Sequence, residues 1–248
     1  MALDEALLEA VAGLHQPVLR FYGWTEPAAT FGYFQKYAEV ERATRLRPLI
    51  RRPTGGGIVP HDADWTYSLA FPPDHEWHLL KAEESYHRVH EWIQRAFEKL
   101  NVATELAPSC KKTVPGSRSS RREEAPSSNA ECGAQNAESS KSLLTSAATS
   151  VLPGQCFTGH EKSDLLWNGR KIAGAAQRRN KLGLLIQGSV QPPPISLAGT
   201  DWQQAMLAAG RDEWQVQWSA WEAPGALRER AGSLARQKYS QPEFITKR

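Results

Sequence analysis

Three consecutive glycines, Gly55-Gly56-Gly57, break the run Arg51-Arg52-Pro53-Thr54-Gly55-Gly56-Gly57-Ile58-Val59-Pro60-His61-Asp62. Neither a helix nor a strand tolerates such a stretch, because glycine gives up more backbone freedom on ordering than any other residue. The chain must therefore turn here, between a strand-like run over 47–52 and a second over 65–71. Two readings fit. One is a glycine-rich turn with no ligand. The other is a concavity in which successive backbone N–H groups meet an anion or a carbonyl oxygen, with Arg51 and Arg52 supplying charge beside it.

A second segment bears on the choice. Asn168-Gly169 stands between two strand-like runs and predicts a tight type I′ hairpin. Lys171 follows that turn at once, on a strand whose Ala173, Gly174, Ala175 and Ala176 leave room for something to lie across it. Asn180 to Gly183 reads as the next turn, before the apolar run 183–190.

The two segments, with Met1 to Leu8, Arg20-Phe21-Tyr22-Gly23-Trp24, Phe31 to Gln35, Cys156-Phe157 and Lys238-Tyr239-Ser240, resemble the lipoate-protein ligase and octanoyl (lipoyl) transferase family. That family is related to the biotin ligase catalytic domain. The resemblance implies an α/β (α+β) fold: one biotin/lipoate protein ligase-like catalytic domain over 1–248, of mixed, mostly antiparallel sheets with flanking helices. Cys156-Phe157 resembles the pattern of the cysteine-dependent transferases, and the chain stops where those transferases stop, short of the accessory domain of many ligases. The implied reaction moves octanoyl or lipoyl from octanoyl-acyl carrier protein, through a thioester on Cys156, to a lysine of a lipoyl-domain protein. That acceptor is a glycine cleavage H protein or a 2-oxoacid dehydrogenase E2. Lys171 is the implied oxyanion donor. Arg52, Thr54, Gly55, Gly56, Gly57, His61, Gly174 and Ala175 are the implied substrate-binding residues, and the strands 17–22 and 65–71 the walls of an acyl tunnel. No cofactor is implied. ATP and Mg2+ enter only under the alternative, a lipoate ligase working through lipoyl-adenylate. A third reading is a degenerate member that binds without turnover.

His61 has two readings: a base for the incoming amine, or a loop residue bonded to Asp62. Arg178, Arg179 and the basic residues of 224–238 are either solvated charges or contacts to an acidic carrier. The resemblance also carries departures. Gln187 stands where these transferases usually have histidine, and Thr158-Gly159-His160 replaces the usual Ala-Pro-Ser. The first strand of the family is expected ahead of the Met1–Leu8 helix, so it is dispensable or the start is placed late.

Composition narrows the rest. A net charge of +3 does not suggest a nucleic-acid protein. No run of eighteen apolar residues predicts a membrane span. Three cysteines without framework spacing suit a reducing cytoplasm, and no Cys-x-x-Cys pattern points to a metal. Helices are expected over 3–14, 83–100, 201–209 and 224–238, and strands over 17–22, 28–34, 47–52 and 65–71. Residues 113–154 hold ten serines and no aromatic residue. Such a stretch buries too little apolar surface to offset its ordering entropy, which predicts a disordered insertion ahead of Cys156.

Overall fold

Apolar residues at helical spacing open the chain as α1 (Ala2–Leu14), which buries Ala6, Leu7, Leu8 and Val11. The computed structural model describes residues 1–108 and 161–247. The expected insertion at 113–154, Cys156 and the 158–160 departure lie outside the described residues. After α1 come β1 (Val18–Tyr22), β2 (Ala28–Phe31), α2 (Tyr37–Ala43), β3 (Leu49–Arg51), β4 (Val59–His61) and β5 (Trp65–Phe71). Then follow α3 (Glu76–Leu79), α4 (Ala82–Lys99), β6 (Glu105–Leu106), β7 (Leu165–Trp167), β8 (Arg170–Asn180) and β9 (Gly183–Val190). The chain closes with α5 (Gly199–Trp214), α6 (Gly225–Leu234), a π-helical turn at Ala235–Tyr239 and α7 (Pro242–Ile245).

The strands form a six-stranded sheet in the order β1-β5-β9-β8-β7-β6 and a three-stranded sheet in the order β3-β2-β4. All pairs are antiparallel except β2 with β3. The fold is thus the mixed, mostly antiparallel α/β arrangement that the sequence implies.

Strand alternation decides where the site sits, because successive side chains leave a strand on opposite faces. On β5, Tyr67, Leu69 and Phe71 join the core made with Val89, Ile93 and Phe97 of α4 and Trp202 and Met206 of α5. The intervening residues turn the other way: Ala70 packs with α1 and α6, and Ser68 donates to Asp4 of α1. β9 repeats the pattern. Leu184, Ile186 and Val190 enter the first core, while Gln187 and Ser189 bond to Asp4 and Asp64. All eight residues of β9 are buried, since the strand has neighbours on both edges and helices on both faces. Each fully buried leucine or isoleucine there contributes roughly 2 kcal/mol.

Three expectations change. The glycine loop does not run on to Asp62, because Val59–His61 form β4, antiparallel to β2. Pro60 has no N–H to give a ladder, and β4 is an edge strand, where proline is tolerated. β2 ends at Phe31 rather than at 34. A Cβ on Gly32 would lie 2.1 Å from the Gly56 carbonyl oxygen, so the chain bends under the loop at a position only glycine fits. The basic helix expected over 224–238 is α6 followed by the π-helical turn.

Candidate active site

The strands and the loop border a pocket that is partly open to solvent and lined mainly by apolar surface. β8 contributes Gly174, Ala175 and Ala176, whose small side chains leave the space, and β9 contributes Gly188 and Ser189. Arg52, Gly56, Val59 and His61 come from the loop and β4, and Tyr22, Thr30 and Thr66 from β1, β2 and β5. Five of the residues proposed from the sequence therefore meet in one place: Arg52, Gly56, His61, Gly174 and Ala175.

Arg52 shapes the loop. Its Nη2 donates to the carbonyl oxygens of Gly55 at 2.9 Å and Gly57 at 2.8 Å, and its Nη1 to Thr30 Oγ1 at 2.8 Å. Gly56 sits between those carbonyls at φ 86°. A Cβ there would be strained by its backbone and would lie 3.2 Å from Arg52 Nη2. The Gly56 and Ile58 N–H groups, which share planar trans peptides with those carbonyls, point away from the guanidinium. Thr54 holds the other side of the loop: its hydroxyl donates to Gln187 Oε1 at 2.8 Å, and Gln187 Nε2 donates to Asp4 Oδ2 at 2.6 Å. Asp4 is buried and is also bonded by Arg20 and by Ser68 at 2.8 Å.

Arg51, expected beside the loop, is not there. It lies on the opposite side of the strand end and donates to the carbonyls of Tyr33, Gln35, Phe244 and Ile245, so it pins the segment after β2 to α7. The Asp62 reading of His61 is also corrected. His61 Nδ1 meets Asp64 Oδ2 at 2.8 Å, Nε2 meets Thr30 Oγ1 at 2.8 Å, and the ring stacks on Trp24 at 4.1 Å. Asp62 follows the end of the strand and is exposed.

Lys171 does not line the pocket. It stands three residues before Gly174 on β8, with Nζ 2.7 Å from Asp164 Oδ2 and both side chains buried. Asp164 also accepts from the Glu161 amide at 2.6 Å. The hairpin that delivers Lys171 is the type I′ turn expected, with Asn168 at φ 48° and Gly169 at φ 72°. Behind this pair lies His90 of α4, 2% exposed, with neither ring nitrogen hydrogen-bonded among the described residues. Burial pushes its pKa down to about 4, while Asp164 and Lys171 pull it in opposite directions.

Four of the basic residues left open by the sequence are engaged. Arg178 and Lys238 both pair with Glu5, and Arg230 pairs with Glu9. Arg179 donates to the carbonyls of Trp77 and His78. Asp4, Thr30, Asp64, Thr66 and Ser189 were not singled out from the sequence. The available signal was polar residues at every second position of otherwise apolar strands, as in Thr66-Tyr67-Ser68 and Gln187-Gly188-Ser189. Among the described residues, no helix is long and apolar enough to cross a membrane.

The family model of the lipoyl protein ligase A/B catalytic domain matches residues 1–191. Octanoyltransferase LipM of Halalkalibacterium halodurans is 32% identical over 195 residues, which are 77% of this chain and 60% of that protein. The chain thus spans about 60% of the length of that curated relative. Among solved structures, protein Ta0514 of T. acidophilum with bound lipoic acid aligns at a TM-score of 0.70 and 17% identity, covering 100% of this chain and 92% of that one. The bi-partite lipoate protein ligase of Thermoplasma acidophilum, described with its E2 lipoyl domain, aligns at 0.65 and 16%, covering 99% and 89%. At these identities the two structures share the fold with this chain.

Proposed function

Because the chain belongs to the lipoyl protein ligase A/B catalytic domain family, we propose that it is an octanoyltransferase of protein lipoylation that works through an acyl-enzyme on Cys156. The identity to octanoyltransferase LipM carries this reading. The pocket supports it: small residues of β8 and β9 make an apolar floor for an acyl chain, and the glycine loop stands at the polar end.

The Cys156 thiolate attacks the thioester carbonyl of octanoyl-acyl carrier protein. The tetrahedral oxyanion collapses, the carrier thiolate leaves and takes a proton, and the octanoyl group stays on sulfur. A neutral lysine amine of a lipoyl domain, from an H protein or an E2 subunit, then attacks the acyl-cysteine. The C–N bond forms, the C–S bond breaks, Cys156 leaves as thiolate and the amine proton passes to water or a base. Thioester exchange is nearly energy-neutral and amide formation is downhill, so the reaction needs no ATP. Lys171 is assigned the positive charge for the oxyanion on the resemblance of its position; in the structure its ammonium pairs with Asp164 outside the pocket. The loop, with Arg52, Thr54, Gly55, Gly56 and Gly57, holds the carbonyl end, beside Gly174 and Ala175. His61 has both ring nitrogens engaged and serves in the wall rather than as the base.

The test is intact-mass spectrometry after incubation with octanoyl-acyl carrier protein without ATP, beside Cys156→Ser. The expected result is a hydroxylamine-sensitive octanoyl adduct on the wild type alone. No adduct, with labelling of a lipoyl domain by lipoate and ATP, would make the chain a ligase. Silence in both assays would make it a binder.

A further inference from the structure

We infer that Asp64 is a positioning residue for the glycine loop, acting through a fixed proton order across His61, Thr30 and Arg52. The side chain of Asp64 is 1% exposed. Its Oδ2 lies within hydrogen-bond distance of His61 Nδ1 at 2.8 Å, Ser189 Oγ at 2.6 Å and Thr66 Oγ1 at 3.2 Å. An ionised carboxylate only accepts, so Nδ1 of His61 carries a proton. The other end of the chain is fixed as strictly. Arg52 only donates, so Thr30 Oγ1 accepts from Nη1 at 2.8 Å. The Thr30 hydroxyl proton then points to its remaining partner among the described residues, Nε2 of His61, at 2.8 Å.

His61 is thereby held as the neutral Nδ1–H tautomer, with Nε2 accepting. Reversing it would set an Nε2 proton against the Thr30 hydroxyl proton and leave Asp64 facing a bare nitrogen. The order continues to the loop, because the guanidinium that Thr30 orients gathers the Gly55 and Gly57 carbonyls. Trp24 stacks on the ring at 4.1 Å and donates from Nε1 to Thr66 at 3.0 Å, which keeps the imidazole from rotating. Asp64 is thus linked to the loop through three intervening side chains. Its value to the transfer reaction rests on the function proposed above, whereas the proton order and its hold on the loop do not.

The experiment separates the two. Long-range 1H–15N correlation on the whole protein at pH 7.5 reads the tautomer, with His61→Gln identifying the ring signals among the seven histidines. The expected result is one unprotonated nitrogen, Nε2. Hydrogen–deuterium exchange of peptides spanning 53–58 is then compared in wild type, Thr30→Val, Asp64→Asn and Thr30→Ser. Thr30→Val and Asp64→Asn are expected to speed exchange in the loop by about tenfold, the loss of one hydrogen bond's worth of protection, with α4 unchanged. Thr30→Ser keeps the hydroxyl and is expected to match the wild type. An Nε2–H tautomer or an imidazolium in the wild type overturns the inference. So does loop exchange that stays at the wild-type rate in Thr30→Val, or a Thr30→Ser protein that exchanges like Thr30→Val. In the acylation assay, both disruptive variants are expected to lower kcat/KM for octanoyl-acyl carrier protein by about tenfold. A wild type that never acylates would remove the functional reading and leave the exchange result standing.

Discussion

Two buried histidines flank the site and are treated in opposite ways. His61, on β4, has a carboxylate on one ring nitrogen and a hydroxyl on the other, both at 2.8 Å. His90, on α4, is as deeply buried and, among the described residues, bonds through neither. The surroundings differ in kind. His61 belongs to a run of directional hydrogen bonds that ends on the glycine loop. His90 lies behind the Lys171–Asp164 pair, where position is set by burial and by opposite charges. The pocket wall should therefore respond to lost hydrogen bonds, and the region behind Lys171 to altered charge.

The sharpest way to break that contrast is Asp164→Ala. It removes the carboxylate that pairs with the buried Lys171 ammonium at 2.7 Å, and breaking a buried pair costs about 3–5 kcal/mol. Urea unfolding of the variant is expected to show that loss as a lower midpoint at unchanged slope. A loss under about 1 kcal/mol, the range of an exposed pair, would mean that the Lys171 ammonium is held by water or by other groups, and the two regions would then not differ in the way described.

The next effect is a pH dependence. The folded pKa of His90 is about 4, against an ordinary value of about 6.5 for an unfolded histidine. Between these values the unfolded chain binds a proton that the folded chain refuses, so stability falls as pH falls from about 6.5 towards 4. The full difference amounts to about 3 kcal/mol. Of the groups around the ring, Asp164 and the Ser163 backbone oppose this shift, and Lys171 and His87 add to it. His90→Leu is expected to flatten that part of the stability curve while leaving stability at pH 8 unchanged or higher. A curve that keeps its full slope in His90→Leu would assign the acid sensitivity elsewhere.

The sequence was most legible where a signal is local. The Asn168-Gly169 turn demands positive φ at both residues and has it. α4 buries Val89, Ile93 and Phe97, the positions its periodicity marks. Gly55 to Gly57 form a loop because little else is open to them. What was not legible depends on pairings across the chain. β4 is too short and too polar to announce itself, and exists because β2 offers an edge. The partner of His61 was misread because β4 ends at His61 and the chain bends over 62–64, which leaves the neighbouring Asp62 exposed and brings Asp64 back against the ring. Arg51 and Arg52 read as a pair of charges, yet strand alternation sends one to α7 and the other to the loop. The polar residues of β5 and β9 acquired meaning only when α1 brought Asp4 and the 62–64 bend brought Asp64 against them.

Gln187→His carries the smallest expected effect, and it asks whether pairing alone decides how a buried histidine behaves. Gln187 accepts from Thr54 at 2.8 Å and donates to Asp4 at 2.6 Å. A neutral imidazole offers the same combination, one acceptor and one donor. Histidine would therefore keep Thr54, and with it the glycine loop, in place at pH 7.5, with stability within about 1 kcal/mol of the wild type, the worth of a single exchanged hydrogen bond. A second histidine would then sit in the wall, paired on both sides as His61 is. If pairing is what matters, its stability curve follows the wild type through the acid range, because the Asp4 carboxylate stabilises an added proton on the ring. If burial matters more than pairing, the variant gains a second acid-sensitive step like that of His90. Measuring unfolding from pH 8 to pH 4 in Gln187→His and in Gln187→His with His90→Leu separates the two, since in the double variant any remaining step belongs to residue 187.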